Sequence, residues 1–560
     1  MIPYDDFKFI DSEIWILSPF SGEYEPFSEA AWISDVYIDT LENKRKIRIQ
    51  LSLPDGTNPF VVMDRGELVT GLLEKLTNVG FSMANERDMV TTLQDILMKT
   101  EVNANVHYVH DCLGFHKCID GKIRYLGVES LQKMDGHKSR YIRWDALKPK
   151  GTFNQWRDAL KPYVDANPAL QFALLVGVSS PVNAKLQRHG VLHETSIYTF
   201  VGTSSSGKTT VARLCASIWG NSNKLIRSMN NTENHIYDVI SKSCGFITIL
   251  DDLSAFPKVD VTSQIYSISS SEEKGRCDAT GAAKEKREFM GAVIYTSERS
   301  VLSQTNKQRG LYSRIAECNN IKWFASAEEA EAVDAIISTN YGYAWKSFMK
   351  GLISGKFSQL HGEYNTAVNT LNTLLQPVDG VEKRQIKKFA VLMAAIPYVS
   401  TAWGFQMNVQ AILNMIQGIF EDNKLLQPPG EVLYDKLINE IIGDKASYPS
   451  KNGRYPHTGA AHGEDSDYNG KPCFWIIKEH FQKLLTNFGY PDIQLACKIL
   501  YEAGFLVKFP GGRYYYKHKV SGEDTQCYAM LKDLSSSTTQ SADDQKKAKP
   551  KRISETSLLK

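Results

Sequence analysis

No stretch of the 560-residue sequence approaches 18 consecutive apolar residues, and no N-terminal segment combines basic residues with a long apolar run. The sequence therefore predicts no membrane span and no secretion signal, and it indicates a cytoplasmic protein. An excess of one charge is also missing, because 65 basic and 63 acidic side chains leave a net charge of +2. This balance neither favours nor excludes a nucleic-acid partner, so such a surface must come from local clustering.

Cysteine is sparse, and the nine cysteines are scattered and odd in number. This pattern favours reduced thiols over a disulfide framework. One cluster, "HDCLGFHKC", places the zinc-ligand types His110, Cys112, His116 and Cys118 within nine residues. Alternating side chains around a glycine turn explain the cluster equally well, and no second ligand cluster of recognisable spacing exists. We therefore assign no metal ligand from it.

Changes in hydrophobic pattern divide the sequence into six regions. The first shows short alternating apolar runs, and the third has a helical period almost throughout. Two helix patterns and then a basic hairpin, with Gly511 and Gly512 at its turn, predict a winged helix near the C-terminal end. The predicted regions are an α+β domain (1–150), an α/β core (151–326), a helical region (327–425), a linker (426–469), a winged helix (470–534) and a disordered polar tail (535–560).

A phosphate-binding loop is predicted by "FVGTSSSGKTTVARLCASIWG", residues 200–220. The stretch fits G-x-x-x-x-G-K-[ST] between an apolar strand and a helix-period pattern, so backbone N–H groups can wrap a di- or triphosphate. Lys208 would meet the terminal phosphates, and the Thr209 hydroxyl would bind magnesium. The cofactors expected are ATP and Mg²⁺, and the candidate nucleotide-binding residues are Gly202, Thr203, Ser204, Ser205, Ser206, Gly207, Lys208, Thr209 and Thr210.

Two further strand ends carry candidate catalytic groups. The apolar run 246–250 predicts a buried strand that delivers Asp251 and Asp252 at its carboxyl end, where ligands bind in doubly wound sheets. Asp251 would hold magnesium through water, and Asp252 would orient the attacking water where many ATPases carry Glu. A second predicted strand ends at Thr296, Ser297 and Glu298. Among these, we select Ser297 to hydrogen-bond the attacking water or the γ-phosphate.

Basic residues follow in three places. The segment "EEKGRCDATGAAKEKREF" predicts a hairpin that could grip nucleic-acid phosphates through Lys284 and Lys286, although a charged surface hairpin is an equal alternative. Downstream, Arg309 and Arg314 are candidates to stabilise a transferring phosphoryl group. The predicted recognition helix carries only Lys498, whereas the wing carries several cations, so backbone contact is favoured over base readout. The wing cations are Lys508, Arg513, Lys517 and Lys519.

The order of these motifs resembles an AAA+ ATPase of helicase type. "LYSRIAE" is similar to the arginine-finger segment of MCM replicative helicases, with Ile315 in place of Phe. A closer resemblance is to the MCM-like, self-loading helicases of staphylococcal cassette chromosome elements (the Cch type) and related phage and plasmid proteins. It is carried by "LGFHKCIDGKIRYLG", the phosphate loop, "SMNNTENHIYDVISKSCGFITILDDLS", "YTSERS" and "EKRQIKKFAVLMAAI".

The resemblance implies a hexameric ring with ATP sites between subunits, movement from 3′ to 5′, and a hairpin before the second strand that contacts DNA. It makes residues 151–326 an AAA+ core, 327–425 its helical lid and the last domain a winged helix. Arg314 would be the finger that reaches the adjacent subunit's site. Arg384 would be the sensor-2 arginine of the lid, with Lys387 and Lys388 as alternatives. The sequence departs from the pattern at Asp252 and Ile315.

The motifs and the resemblance together imply an ATP-driven DNA helicase that moves on one strand through a homo-hexameric ring and separates the duplex of a mobile genetic element during replication. Its expected partners are single-stranded and duplex DNA and other replication proteins of the same element. One alternative is an initiator or regulator that binds DNA and is switched by ATP without separating strands. A small-molecule kinase is disfavoured, because nothing resembles an acceptor site and a winged helix would be surplus.

Overall fold

The computed structural model describes residues 5–83, 87–143, 147–253, 261–272, 286–304, 309–426, 429–450 and 461–532. The chain forms two compact units, residues 1–426 and 427–560. Within the described part, no helix is long and apolar enough to cross a membrane. The predicted tail, 535–560, lies outside the described residues.

The N-terminal part of the first unit is a largely antiparallel sheet in the order β1-β2-β3-β4-β5, with β6 paired to β3 and β9 to β6. Alternation produces one buried face: Ile47, Ile49 and Leu51 of β4 are fully buried against α3. The elements are β1 (Phe7–Ile10), β2 (Glu13–Leu17), β3 (Tyr24–Asp39), β4 (Arg45–Ser52), β5 (Phe60–Asp64), α1 (Glu67–Thr70), α2 (Leu72–Thr77), α3 (Arg87–Thr100), β6 (Asn105–His110), β7 (Leu113–Lys117), β8 (Ile123–Leu126) and β9 (Arg140–Tyr141).

Strands β7 and β8 belong to a different core from strands β1–β5. They form a three-stranded sheet with Ser243–Cys244, and Phe115 and Tyr125 pack in the large central core. A Cβ on Gly114 would lie 1.9 Å from the Cys244 carbonyl oxygen, so only glycine permits this approach. The sequence predicted one α+β domain over residues 1–150, whereas in the structure β7 and β8 pack in the central core. Alternating apolar residues identify strands but not the core that the strands face.

The centre of the first unit is a five-stranded parallel sheet in the order β11-β13-β14-β10-β15. Because its strands are parallel, their carboxyl ends share one edge. Every residue of β10 and β14 is buried, which explains their continuous apolar runs. The elements are α4 (Phe153–Ala166), α5 (Pro168–Arg188), β10 (Ser196–Val201), α6 (Lys208–Ser217), α7 (Ser222–Leu225), β11 (Ile226–Ser228), α8 (Glu233–Ser241), β12 (Ser243–Cys244), β13 (Thr248–Asp251), α9 (Val261–Ser269), β14 (Ala292–Ser297), α10 (Val301–Gln304), α11 (Arg309–Tyr312) and β15 (Ile315–Asn319).

Helices follow the sheet to the end of the first unit. Helix α15 packs against α5, α13 and α14 and supplies much of the central core, including Phe389, Leu392 and Trp403. The Asp379 carboxylate caps its first turn by accepting from the N–H groups of Val381 and Glu382. The helices are α12 (Ala327–Thr339), α13 (Ala344–Ser354), α14 (Phe357–Leu375), α15 (Gly380–Trp403) and α16 (Val409–Leu425).

The described residues of the second unit include the α-helices α17, α18 and α19 and an antiparallel sheet in the order β16-β17-β19-β18. Residues 426–469, predicted as a linker, include a helix and a strand. The first of the two predicted helix patterns is "FWIIKEHFQKLLTNF", but its opening "FWII" belongs to β17, where Phe474, Trp475 and Ile476 are buried. The elements are α17 (Pro429–Gly443), β16 (Gly463–Tyr468), β17 (Lys471–Ile477), α18 (Lys478–Asn487), α19 (Ile493–Glu502), β18 (Tyr515–Val520) and β19 (Glu523–Leu531).

The predicted basic hairpin is also built differently. Strand β18 pairs with β19, so the ladder turns at Ser521 and Gly522 rather than at Gly511 and Gly512. The two earlier glycines still form a tight turn, in which the Phe509 N–H donates to the Arg513 carbonyl at 2.8 Å. Glycine-containing turns occur both within hairpins and outside them, so composition alone did not show which of these two turns joins the paired strands.

Candidate functional site

The loop between β10 and α6 lies at the carboxyl edge of the parallel sheet. Gly207 adopts φ +84°, and a Cβ there would lie 2.7 Å from the Phe324 ring. A Cβ on Gly202 would lie 2.6 Å from the Ser206 hydroxyl oxygen. That oxygen is buried and has no hydrogen-bond partner among the described residues. A tight backbone cradle with an unsatisfied buried hydroxyl at a helix N-terminus suits a phosphate ligand.

Lys208 begins α6 and is almost entirely buried. Its ammonium donates to the Thr203 carbonyl at 3.2 Å and lies 3.9 Å from Oε1 of Glu298. The Ser204 hydroxyl donates to the same carboxylate oxygen. The amine thus contacts the Thr203 carbonyl of the loop and Glu298, the residue that follows β14.

The next two residues of α6 lie at its solvent side: Thr209 is exposed and Thr210 is half-buried. Helix α6 packs against β13 and β14. Thr209 and Asp251 therefore supply a hydroxyl and a carboxylate at the same edge, which are oxygen donors of the type that Mg²⁺ prefers.

Thr296, rather than Ser297, contacts the two aspartates. The Thr296 hydroxyl donates to Oδ1 of Asp251, and the Asp252 N–H donates to the Thr296 hydroxyl oxygen at 2.9 Å. Asp252 is exposed and adopts a left-handed conformation, φ +58°. The Ser297 hydroxyl instead donates to the Arg299 carbonyl at 2.7 Å. Successive residues of a strand point to opposite faces of the sheet, so the Thr296 and Ser297 hydroxyls lie on different faces.

Arg314 lies at the other edge of the sheet. It immediately precedes β15, whose first residue, Ile315, is aligned with Ile197 near the start of β10. The guanidinium donates to the Gly310 carbonyl at 2.8 Å and stacks over the Tyr266 ring at 4.4 Å. Burial lowers its pKa. The side chain of Arg309, the other candidate, lies outside the described residues.

Arg384 and Lys388 lie near Arg314, around the carboxylate of Glu194. This carboxylate lies 3.9 Å from Nε of Arg384 and 3.6 Å from Nζ of Lys388. Lys388 is buried and also donates to the Ser313 carbonyl at 2.5 Å. Burial lowers its pKa to about 8, although Glu194 opposes the shift. Arg384 is half exposed and can reach outward.

The structure therefore separates the predicted residues into two groups. The loop residues 202–210, Asp251 and Asp252 lie at the carboxyl edge of the sheet, and Arg314 and Arg384 lie at the amino edge. The six residues of β10 between these edges span roughly 17 Å, which exceeds the length of an arginine side chain. Sequence reasoning missed Glu194, because nothing local links it to partners on a helix nearly 200 residues later.

The predicted DNA hairpin is described only at its base. Glu272 and Glu288 form an antiparallel bridge, which brings the two arms together. Lys286 is exposed and lies 3.4 Å from the Glu272 carboxylate. Lys284 and the tip, 279–283, lie outside the described residues.

In the second unit, the predicted wing cations are all exposed. Arg513 lies in the turn after Gly512, and Lys508 stacks between the rings of Tyr501 and Tyr514 at 5.5 and 5.6 Å. Lys517 and Lys519 alternate along β18, so they share one face of the sheet.

The histidines of the cysteine–histidine cluster have protein partners. His110 is buried, with Nδ1 2.7 Å from the Ser139 hydroxyl and Nε2 2.8 Å from the Gly127 carbonyl. Nε2 of His116 lies 2.8 Å from the Leu113 carbonyl. Among the described residues, no group of three or more His, Cys, Asp or Glu side chains could hold a metal ion.

Comparison with known proteins gives two findings. A solved structure described as "SCCmec type IV Cch - active helicase" is similar to the chain, with a TM-score of 0.63 and 19% sequence identity. The similarity covers 96% of this chain and 98% of that one. The chain shares the fold of a helicase. The second finding is a family model, described as "Domain of unknown function (DUF927)", which matches residues 28–288, less than half of the chain. No curated protein matches.

The matched region runs from β3, across the loop between β10 and α6 and across β13, to the segment before β14. It therefore contains that loop, Asp251 and Asp252, but not Thr296, Arg314 or Arg384. The full-length structural similarity, in contrast, includes both edges and the second unit. At this level of identity, the similarity establishes a shared fold and not a shared reaction.

Proposed function

We propose that the chain is an ATP-driven DNA helicase of the AAA+, MCM-like type that works as a homo-hexameric ring with nucleotide sites between subunits. The observation that carries the proposal is the position of the two groups of residues at opposite edges of one parallel sheet. An arginine typically stabilises the charge of a transferring phosphoryl group, and Arg314 and Arg384 lie at the edge opposite the loop. The similar solved structure is that of an active helicase, which supports the same function.

The opposite-edge arrangement suits a ring. If each subunit presents its carboxyl edge to the amino edge of the next, Arg314 and Arg384 approach the neighbour's phosphate loop. Arg314 would then be the finger and Arg384 the sensor-2 arginine. Lys388 is buried and contacts Glu194 and the Ser313 carbonyl, so we assign it to holding this edge in place.

Within a subunit, residues 202–210 would hold the ATP phosphates, and Thr209 and Asp251 would hold Mg²⁺. ATP supplies the phosphoryl group, and Asp252 would orient the attacking water. Thr296, which contacts both aspartates, would fix their geometry, so we favour it over Ser297 for the sensing role. Residues 151–326 would be the AAA+ core and helices α12–α16 its lid.

DNA would contact the protein in two places. Lys284 and Lys286 would grip single-stranded DNA from the hairpin, and Arg513 would contact duplex DNA from the second unit, a winged helix. We also propose a cytoplasmic location and a role in replicating a mobile genetic element, together with that element's other replication proteins.

Strand displacement tests the proposed function directly. Purified protein with Mg²⁺ and ATP should separate a labelled strand from a forked duplex, and electron micrographs with a non-hydrolysable ATP analogue should show rings. A protein that binds DNA and hydrolyses ATP but displaces no strand would instead be the ATP-switched initiator.

The hairpin gives a second prediction. Lys284→Ala with Lys286→Ala should weaken single-stranded DNA binding and stop unwinding while basal ATP hydrolysis survives. Each lost phosphate contact should reduce the slope of log affinity against log salt by about 0.7. The matched control, Lys350→Ala with Lys356→Ala, removes two exposed charges elsewhere and should leave the slope unchanged. Equal slopes in the two double variants would assign the hairpin to an ordinary charged surface.

A further inference from the structure

Glu298 contacts the two loop groups that the proposed function assigns to ATP. Its carboxylate accepts a hydrogen bond from the Ser204 hydroxyl, and Oε1 lies 3.9 Å from the Lys208 ammonium. The side chain is about half exposed, at 48%. A carboxylate in this position uses the same donor and the same cation that a nucleotide phosphate would use.

The turn that carries Glu298 is fixed on both sides. On one side, the Ser297 hydroxyl donates to the Arg299 carbonyl and accepts from its N–H. On the other, the Glu317 carboxylate accepts from the N–H groups of Val301 and Leu302 at 2.8 and 3.0 Å. Ser297 and Glu317 are fully buried. The backbone therefore holds Glu298 beside the loop, and a change in the contacts of its side chain does not require the turn to move.

We propose that Glu298 competes with nucleotide phosphates for Lys208 and Ser204, and thereby weakens ADP binding and speeds its release. This inference rests on the proposed function. Two anions cannot share one ammonium without repulsion, so nucleotide binding costs the contacts that Glu298 makes. When product leaves, the carboxylate again neutralises Lys208. Because the turn is anchored, this exchange needs only a rotation of the side chain.

The turn that carries Glu298 also connects the loop to the segment that leads toward Arg314. Strand β14 ends at Ser297, and the same turn leads into α10, which Glu317 of β15 holds by its first N–H groups. Glu298 therefore lies between two parts of the chain: the loop that follows β10, which it contacts, and α10, which precedes Arg314 in sequence. Under the proposal, its side chain changes contacts when nucleotide phosphate binds to Ser204 and Lys208.

Glu298→Gln tests the proposal, because the substitution keeps the shape of the side chain and removes its charge. In the full-length protein with Mg²⁺, titration with a fluorescent N-methylanthraniloyl ADP should give a Kd about three- to tenfold lower than in the parent, as expected for a partly exposed ion pair plus relief of repulsion. Chase with unlabelled ADP should show slower release. Glu331→Gln, an equal charge change on the exposed side of α12, should leave both values unchanged.

Different failures are distinguishable. Unchanged or weaker ADP binding in both Glu298→Gln and Glu298→Ala would overturn the competition. Normal ADP binding with slow hydrolysis would also overturn it and make Glu298 a catalytic base. A folded parent that binds no ADP would overturn the proposed function as well, whereas equal affinity in parent and variants would overturn the role of Glu298 alone.

Discussion

Lys208→Ala should leave a folded protein that hydrolyses ATP about 10²- to 10³-fold more slowly and unwinds no DNA. The expected loss is that of removing one preorganised donor from developing charge. The substitution spares the backbone of the loop, in which Gly202 and Gly207 determine the shape. Steady-state ATPase and strand-displacement assays measure the effect, and circular dichroism checks the fold.

The control for this prediction is Lys224→Ala, which removes an exposed lysine of α7 and should hydrolyse ATP at the parent rate. ADP binding should also weaken in Lys208→Ala, because the ammonium contacts phosphate in both the ground state and the transition state. Hydrolysis at the parent rate by Lys208→Ala would show that the loop does not carry the reaction.

The position of the loop residues and Asp251 at the carboxyl edge of the sheet was predictable because its signals are local. Gly207, Lys208 and Thr209 are consecutive. The apolar run before Asp251 predicts a buried strand that ends at this residue. The predicted strand 246–250 is offset by one or two residues from the strand in the structure, Thr248–Asp251, yet both place Asp251 at the carboxyl end. Sequence alone could not choose between Thr296 and Ser297, because every residue of β14 is buried and its pattern shows no alternation.

The amino edge was not predictable from local pattern, because it is assembled from distant segments. Glu194, Arg314 and Lys388 become neighbours only through the order of the strands and the packing of α15 against the sheet. The same limit applies to β7, whose alternation was visible but whose pairing with β12 depends on Gly114 and Cys244, 130 residues apart. Resemblance to a family selected Arg314 over Arg309 and supplied Arg384, whereas the structure supplied their separation from the loop.

Arg314→Ala should still bind ATP, because Lys208 and the loop are untouched, yet lose hydrolysis by about 10³- to 10⁵-fold, the usual contribution of an arginine finger. Because Arg314 also stacks on Tyr266 and donates to Gly310, the melting temperature must be compared with the parent. Arg314→Lys retains the charge but loses the planar guanidinium, and it should be nearly as inactive. Normal hydrolysis by Arg314→Ala would redirect the search to Arg309.

Mixing Arg314→Ala with Lys208→Ala, each of which hydrolyses ATP only slowly alone, should raise ATP hydrolysis above that of either variant. An interface between the two variants can pair an intact loop from one subunit with an intact Arg314 from the next. Sites completed within one subunit cannot be restored in this way, because each subunit lacks one of the two groups. The mixture must first be held under conditions that let subunits exchange, and exchange must be shown separately with labelled protein. A mixture that exchanges but stays inactive would contradict a finger that acts between subunits, and the position of Arg314 at the edge opposite the loop would then need another explanation.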